Sequence, residues 1–250
     1  MSKRKRPGNI DLRRTTVLID FDNTITISDV LDDIIKRFSV SNKWVDIEEA
    51  WSTGKIGSRE CLKGQLSLVS VSKARLTKFL FHVKLDPFFV RLISFLREQG
   101  VPVVIASDNF SFIIKIILKN NGITGLKVHA NTLKFSKKGL TAAFTKKNRI
   151  CPRCGNCKHF HLLQYRSGNN IIAYVGDGLS DVCPAEHSDL VFAKAALLAK
   201  FRKNNKTCVP FNDLGDVYRT FTNGDFNDRK TKNCTEERAA HRNRTAQIRG

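Results

Sequence analysis

Two aspartates separated by one residue follow an apolar stretch near the start of the chain. The β-type run 16–19 leads into Asp20, and Asp22 and the hydroxyl of Thr24 come directly after it. A buried strand that ends in acids delivers them to the carboxyl edge of a sheet, where open α/β folds keep their active sites. Two carboxylates this close repel each other unless a cation or a shared proton compensates. The alternative is a strand that ends in an ordinary Asp-Asn turn.

Further polar groups stand at the ends of later apolar runs. Ser107 ends the second β-rich run, Asp177 ends a later one, and Asp181 follows one turn after it. Because the carboxyl ends of parallel strands share one crevice, we expect these groups to meet Asp20. Asp20 and Asp177 together would suit Mg²⁺, which takes oxygen ligands. A carboxylate beside that ion can attack phosphorus, while Ser107 and a nearby lysine hold the transferred group.

The elements that must position these residues alternate between β-rich and helical patterns. Strand-like runs cover residues 16–20, 101–106, 126–130, 171–175, 190–193 and 207–211, and a hairpin is expected over 132–144. The alternation predicts an α/β fold, a doubly wound parallel sheet with helices on both faces, for a core of residues 15–28 and 85–218. Residues 29–84 show helical spacing alone, which predicts a small helical cap inserted after the first strand, over the carboxyl edge of the sheet.

The chain has a net charge of +20 over 250 residues, and both of its ends are basic. Residues 1–14 and 219–250 have the composition of a basic disordered arm and tail. Such segments bind nucleic acid without sequence specificity, or they simply keep the chain in solution. No apolar run is long enough for a membrane span and no signal segment precedes the first strand, so we expect a cytoplasmic protein with no membrane partner.

A cysteine-rich loop precedes the fourth parallel strand. Cys151, Cys154 and Cys157 are spaced three apart, and His159 and His161 follow them. Thiolates and imidazoles are the ligands of structural zinc, so this loop could hold Zn²⁺. The other interpretation is a loop of reduced thiols that shapes the neighbouring chain, because no second CxxC pair lies nearby.

Four segments together resemble the motifs of haloacid dehalogenase-like phosphatases. The resemblance covers about residues 15–218 and is closest to the phosphoserine phosphatase-like branch. The matching segments are Asp20-Phe21-Asp22-Asn23-Thr24, Ser107, Lys158 and Gly176-Asp177-Gly178-Leu179-Ser180-Asp181. Two more stretches resemble the methionine-salvage diketo-methylthio-phosphopentane phosphatases, namely Asp22-Asn23-Thr24-Ile25-Thr26 with Asp29, and Cys154-Gly155-Asn156-Cys157-Lys158.

The resemblance implies a role for each matched residue. Asp20 would be the nucleophile that forms an aspartyl-phosphate. Asp22 would protonate the leaving group, activate the attacking water and offer its backbone carbonyl to the metal. The implied phosphate-binding residues are Thr24, Ser107 and Lys158, and the implied Mg²⁺ ligands are Asp20, Asp22, Asp177 and Asp181.

Substrate choice should lie in the cap. There, Asp29 could face a substrate amine or hydroxyl and Arg59 a carboxylate or carbonyl, unless both are solvated surface residues. We therefore expect a Mg²⁺-dependent hydrolase of small phosphomonoesters. Two alternatives remain: a nucleic-acid-associated protein that uses its basic ends and a zinc loop, and a phosphatase of nucleic-acid ends.

Overall fold

A computed structural model describes residues 11–136, 139–144 and 151–223. Within these ranges seven strands form one sheet: β1 (Thr15–Ile19), β2 (Val103–Phe110), β3 (Lys127–Ser136), β4 (Gly139–Ala143), β5 (Ile171–Gly176), β6 (Leu190–Ala193) and β7 (Val209–Pro210). Their order across the sheet is β4-β3-β2-β1-β5-β6-β7. All neighbours are parallel except β3 and β4. The central place of β1 between β2 and β5 brings the carboxyl ends of these three strands together.

Helices connect the strands. In the described part of the chain they are α1 (Val30–Phe38), α2 (Trp44–Ser52), α3 (Ser58–Ser67), α4 (Lys73–Leu80), α5 (Phe89–Glu98), α6 (Ser111–Asn120), α7 (Lys158–Leu163), α8 (Val182–Glu186), α9 (Ala195–Lys203) and α10 (Leu214–Asn223). Short 3-10 turns cover Leu12–Arg14 and Leu179–Asp181. No helix in the described ranges combines the length and the apolar character that crossing a bilayer requires.

Both faces of the sheet are covered, as the continuous burial of β1 requires. Val17 and Ile19 belong to the larger apolar cluster, which includes buried residues of α5, α6 and α10. Leu18 points to the opposite face and belongs to a second cluster with buried residues of α7, α8 and α9. Full burial of each such aliphatic side chain stabilises the fold by roughly 1.5–3 kcal/mol. The predicted doubly wound α/β fold is therefore confirmed.

The four helices α1–α4 form a segment, residues 30–80, between β1 and α5; we call it the helical insertion. The chain enters and leaves it side by side, because Thr26 bridges Leu85 in antiparallel fashion and the Asp86 amide donates to the Ile25 carbonyl at 2.8 Å. Paired entry and exit allow a segment to be inserted without disturbing the sheet. The predicted domain bounds, a core of residues 15–28 and 85–218 and a cap of residues 29–84, stay a prediction.

Three predictions concern segments at or beyond the limits of the described ranges. The expected basic arm and tail lie largely in residues 1–10 and 224–250, which are outside the described residues. The nucleic-acid contacts expected of these segments therefore stay a prediction. Helix α10 continues through Asn223, past the expected start of the tail at Arg219. The strand expected over 126–130 and the first arm of the expected hairpin are one continuous strand, β3.

Candidate active site

The loop after β1 holds Asp20 and Asp22 at the edge of the sheet. The Asp20 amide donates to the Val175 carbonyl of β5 at 2.9 Å, and the Asp20 side chain is buried. The Phe21 carbonyl accepts from the Ile25 amide at 2.9 Å, which closes a tight turn. Asn23 sits within this turn at φ +52°, a left-handed conformation that asparagine tolerates better than most residues.

An irregularity in β2 presents the next group of side chains. The register between β2 and β3 shifts between Ala106 and Phe110, so the strand bulges at Ser107 and its neighbours. The Asn109 side-chain amide donates to both carboxylate oxygens of Asp22, at 3.0 Å each, and the Asn109 backbone amide donates to Ser107 Oγ at 3.0 Å. The bulge thus connects the segment of Ser107 directly to Asp22.

The end of β5 supplies Asp177 and Asp181. Asp181 is completely buried, and its Oδ2 accepts from the amides of Asp177 and Gly178 at 3.0 and 2.9 Å. Its Oδ1 accepts from Tyr174 Oη at 2.5 Å. A Cβ atom at Gly176 would lie 2.6 Å from Asp181 Oδ2, so this close approach requires glycine. Asp181 therefore shapes the loop that presents Asp177.

Lys158 is the first residue of α7, and its ammonium group lies among the carboxylates. Nζ is 2.8 Å from Asp20 Oδ1 and 2.6 Å from Asp181 Oδ1, and it donates to Ser180 Oγ at 3.1 Å. Cys157 caps this helix, since its Sγ accepts from the Phe160 amide at 3.4 Å. The last cysteine of the loop thus helps to place the buried lysine.

The balance of charge in this cluster is negative. Burial raises the pKa of Asp20 well above its ordinary value, Asp181 raises it further, and Lys158 opposes both. Burial and the same Asp181 carboxylate raise the pKa of Asp177 to about 6. Burial opposes the charge on Lys158, but Asp181 and Asp20 outweigh this effect and the pKa of the lysine rises. Three buried carboxylates thus face one ammonium group.

This donor set fits a hard divalent cation. Asp20, Asp177 and Asp181 each offer a carboxylate oxygen within 4.8 Å of the other two. Oxygen donors and excess negative charge are what Mg²⁺ takes in proteins. Both oxygens of Asp181 already accept hydrogen bonds, whereas Asp177 accepts one, at 3.1 Å from Thr24 Oγ1. Asp20 and Asp177 are therefore the freer carboxylates, and the Thr24 hydroxyl is directed at Asp177.

A cavity of about 120 Å³ opens beside the carboxylates, under the helical insertion. Its floor includes Asp20, Asp22, Ser107, Asp108, Asn109, Lys158 and Asp177. Its walls from the chain that leads into and through the insertion include Asp29, Leu31, Asp32, Glu48, Trp51, Ser58, Cys61, Leu62 and Gln65. This volume is of the order that accommodates a small organic molecule.

The two residues that the sequence suggested for substrate contact lie in different places. Asp29 lines the cavity, where it also caps α1 by accepting from the Asp32 amide at 2.8 Å. Burial, with Asp22 and Asp32 nearby, raises the pKa of Asp29 to about 8. Arg59 is not brought into this cavity: its Nε donates to the Cys154 carbonyl at 3.3 Å and its guanidinium lies 5.0 Å from the Phe144 ring centroid.

The predicted zinc site at Cys151, Cys154 and Cys157 is not supported. Cys154 Sγ lies 3.1 Å from Cys151 Sγ, but Cys157 Sγ is turned to the start of α7 as its cap. Among the described residues, the ligand-type side chains that converge belong to two other groups. The loop is instead anchored by Asn156, whose side-chain amide donates to the Ser107 and His129 carbonyls at 2.9 Å each.

Two residues of the site escaped the sequence analysis. Asn109 stands two positions after Ser107, so its place in the same turn was a usable signal. Tyr174 lies inside β5 as an ordinary strand aromatic, and nothing in its sequence context indicates that its hydroxyl reaches Asp181. Asn109 orients the Asp22 carboxylate and also lines the cavity, whereas Tyr174 acts through Asp181 alone.

Comparison with known proteins agrees with this geometry. The family model described as "Putative Phosphatase" matches residues 15–204. A bifunctional enzyme MtnB/MtnX of Bacillus licheniformis is 26% identical over 213 residues, which are 83% of this chain and 49% of that protein, so the chain spans about half of this relative. The 2-hydroxy-3-keto-5-methylthiopentenyl-1-phosphate phosphatase of Brevibacillus brevis is 26% identical over 83% of this chain and 95% of its own length.

Solved structures show the same fold. A structure titled "Phospho-Aspartyl Intermediate Analogue of Phosphoserine phosphatase" superposes with a TM-score of 0.63 at 18% identity, over 83% of this chain and 98% of that one. The family match covers most of the chain and includes every motif residue discussed above. The similarity in sequence to the Brevibacillus brevis relative and in fold to phosphoserine phosphatases agrees with the resemblance drawn from the motifs. The chain belongs to the family described as "Putative Phosphatase".

Proposed function

We propose that this phosphatase hydrolyses small phosphomonoesters with Mg²⁺, through an aspartyl-phosphate on Asp20. The observation that carries the proposal is the position of the Asp20 carboxylate. It lines the cavity and lies 2.8 Å from Lys158 Nζ. One of its oxygens also lies within 4.8 Å of a carboxylate oxygen of Asp177, close enough for both to bind one cation. Asp20 and Asp177 would hold Mg²⁺, together with the backbone carbonyl of Asp22. The bound ion would supply positive charge to the phosphoryl oxygens and to the attacking carboxylate.

Asp22 is the residue suited to move protons. Burial raises its pKa to about 6, although hydrogen bonds from Asn109 and the Val30 amide oppose this rise. A carboxyl group with a pKa near 6 can give a proton to the leaving alkoxide and accept one from water in the next step. Its two oxygens are fixed by Asn109, and Oδ1 also accepts from the Val30 amide at 3.0 Å. Asp22 would thus face the leaving group from a set position.

Ser107 and Lys158 would hold the transferred phosphoryl group. Both line the cavity next to Asp20, and Lys158 is almost completely buried. A buried ammonium group at this point stabilises negative charge that develops on the phosphoryl oxygens, because the surroundings exclude water. Asp181 and Tyr174 would act indirectly. Asp181 binds the Lys158 ammonium group and the backbone amides of Asp177 and Gly178, and Tyr174 donates to Asp181.

Asp20→Asn provides the first test, measured as hydrolysis of an aryl phosphate and of a panel of small phosphate esters. We expect the wild-type chain to lose activity in EDTA and to regain it with Mg²⁺. Asp20→Asn should reduce turnover by at least 10³-fold without unfolding, because an amide cannot serve as the nucleophile. Asp46→Asn, at an exposed position of α2, is the matched control and should behave like wild type. Retained turnover in Asp20→Asn would contradict the proposal.

The cavity walls favour a particular charge on the substrate. Asp32 and Glu48 face it from the insertion side, Asp29 with its raised pKa adds a carboxyl group that can donate or accept a hydrogen bond, and the described lining contains no arginine and one lysine, Lys158. Carboxylates attract an amine or accept from a hydroxyl, and they repel a second carboxylate. We therefore propose that the esterified part of the substrate carries an ammonium or hydroxyl group. The name of the Brevibacillus brevis relative supports a small phosphomonoester, whose organic part would fit beside Trp51.

The nucleic-acid alternatives gain no support from the described residues. The cavity is small and lies beneath the insertion, and its walls are acidic. An acidic wall repels a polynucleotide backbone. The chemistry of the cavity therefore favours a small ester over a nucleic-acid end.

A further inference from the structure

A second group of metal-ligand side chains lies outside the cavity, in the segments that follow Lys158 and Asp181. It consists of His159 on α7, Cys183 on α8 and His187 directly after α8. One ring nitrogen of each histidine and the cysteine sulfur lie within 4.8 Å of one another. None of the three lines the cavity described above. This group is chemically unlike the carboxylate cluster, because its donors are nitrogen and sulfur.

The spacing of the three donors is close to what a tetrahedral ion needs. Cys183 lies in α8 and His187 directly follows the helix, where its ring folds back on the Cys183 carbonyl. Cys183 Sγ lies 3.7 Å from His159 Nδ1, and the two imidazole rings are stacked with centroids 3.9 Å apart. With Zn–N and Zn–S distances of about 2.0–2.3 Å, tetrahedral ligand atoms lie roughly 3.3–3.6 Å apart. The donor atoms lie within 4.8 Å of one another, and the two rings must turn out of their stacked arrangement for both lone pairs to meet at one ion.

The hydrogen bonding of His187 prepares it as a ligand. Its Nδ1 lies 2.8 Å from the Cys183 carbonyl, which can only accept, so Nδ1 carries the proton. The lone pair is then on Nε2, and a carbonyl bonded to the other ring nitrogen is the usual support of a metal-bound histidine. His187 and Cys183 are exposed and His159 is half-buried. Solvent can therefore reach a fourth coordination position.

We propose that His159, Cys183 and His187 form a binding site for one Zn²⁺ ion, with water as the fourth ligand. The site is separate from the carboxylates that would hold Mg²⁺. Its ligands adjoin the catalytic segments, since His159 follows Lys158 and Cys183 comes two residues after Asp181. The buried Lys158–Asp181 ion pair already connects the start of α7 to the segment before α8. The ion would connect the same two segments at the protein surface.

Co²⁺ binding to the full chain tests this proposal. Co²⁺ bound to a thiolate absorbs strongly in the near ultraviolet, whereas Co²⁺ bound to carboxylates does not. With excess Mg²⁺ present to occupy the carboxylates, we expect one equivalent of Co²⁺ to produce this absorption and one equivalent of Zn²⁺ to abolish it. Cys183→Ser should remove the absorption, and His187→Ala should weaken Co²⁺ binding at least tenfold. Both positions are exposed, so metal-free melting temperatures should match wild type.

Two further variants separate this site from its rivals. Cys154→Ser tests the cysteine loop and should keep the Co²⁺–thiolate absorption. Asp177→Asn tests the carboxylate cluster and should also keep it, although it should lose hydrolysis. Absorption that survives in Cys183→Ser, absorption that is lost in Cys154→Ser, or a wild-type chain that gives no saturable absorption would each overturn the proposal.

Discussion

Asp22 depends on a neighbour that no motif identifies. The Asn109 amide holds both of its oxygens, and this contact exists because β2 bulges between Ala106 and Phe110. In Asn109→Ala, Asp22 keeps the Val30 amide as its partner and loses its fixed orientation. General acid–base catalysis contributes about 10²–10⁴-fold, so misplacing the acid should lower kcat by roughly 10- to 100-fold.

Steady-state kinetics on an alkyl phosphate would measure this effect. An aryl phosphate, whose leaving group needs less protonation, should be affected less than the alkyl ester. Asn42→Ala, at an exposed position before α2, is the control and should leave both rates unchanged. An equal loss on both esters would show that Asn109 supports the fold rather than the proton transfer of Asp22.

At the residue scale, the sequence indicated the side chains that stand directly at strand ends. Asp20, Ser107 and Asp177 could be placed because parallel strands deliver their carboxyl ends to one edge. Arg59 could not be placed, because its direction depends on a tertiary contact with the Cys154 carbonyl. Tyr174 was missed for the same reason, since its hydroxyl matters only once Asp181 folds back onto β5.

Helix α7 and the loop before it depend on a buried histidine. His161 Nε2 lies 2.7 Å from Asn156 Oδ1, so it donates, and its Nδ1 is buried with no hydrogen-bond partner among the described residues. Burial and the stacked His129 ring lower the pKa of His161 to about 4, from an ordinary value of 6.5. The imidazole is therefore neutral in the folded chain at neutral pH.

This lowered pKa predicts a specific loss of stability in acid. Between pH 6.5 and about 4 the unfolded chain binds a proton at His161 that the folded chain does not. The stabilisation is therefore complete above pH 6.5 and is lost as the pH falls towards 4. Urea denaturation at pH 7 and pH 5 should show that the free energy of unfolding falls less in His161→Gln than in wild type as the pH is lowered. His82→Gln, at an exposed position after α4, should keep the full loss; equal losses in all three proteins would contradict this role.

The helical insertion is where we expect substrate charge to be recognised. Glu48 lines the cavity from α2, where its Oε2 accepts from Gln65 Nε2 at 2.8 Å. Glu48→Gln keeps the size of the side chain and removes one negative charge. The ratio of kcat/KM for an aminoalkyl phosphate to that for a hydroxyalkyl phosphate of equal length should fall about tenfold, which corresponds to about 1.4 kcal/mol of lost attraction.

Its neighbour Glu49 provides the matched control for this prediction. Glu49 is exposed on the same helix and does not line the cavity, so Glu49→Gln should leave the ratio unchanged. Hydrolysis of the hydroxyalkyl ester should survive in both variants, which separates a failure of this prediction from a failure of the phosphatase chemistry. An unchanged ratio in Glu48→Gln would argue against an ammonium-bearing substrate.

At the element scale, helix starts were easier to predict than strand lengths. Asp29 stands directly before the apolar helical pattern of α1, the usual place of an N-cap, and it accepts from the Asp32 amide. β3 was expected as two pieces, a strand over 126–130 and the first arm of a hairpin from 132, with Asn131 between them. The structure keeps the strand continuous, because Asn131 is fully buried and donates to the Asp108 carbonyl at 2.6 Å. From the sequence alone, a polar residue such as Asn131 suggests the end of a strand, because its buried hydrogen-bond partner is not apparent.

In the whole molecule, the insertion is held over the sheet by the cysteine loop. The Arg153 guanidinium donates to the Gly54 carbonyl at 2.6 Å, and the Arg59 amide donates to the Arg153 carbonyl at 3.0 Å. A Cβ atom at Gly57 would lie 2.5 Å from that same carbonyl, so the close packing depends on glycine. The loop therefore connects the two parts of the molecule that enclose the cavity, a role that sequence spacing alone did not distinguish from metal binding.

Chemical trapping of the intermediate would show directly whether the Asp20 carboxylate becomes phosphorylated. Substrate turnover is quenched in acid, borohydride reduces any aspartyl-phosphate to homoserine, and peptide mass spectrometry locates it. With an aryl phosphate, whose leaving group needs little protonation, Asp22→Asn should accumulate the intermediate, because Asp22 would activate the water that removes it. We expect homoserine at position 20 in the wild-type chain, more of it in Asp22→Asn and none in Asp20→Asn. Homoserine at another carboxylate, or its absence from position 20 during active turnover, would contradict the proposed role of Asp20.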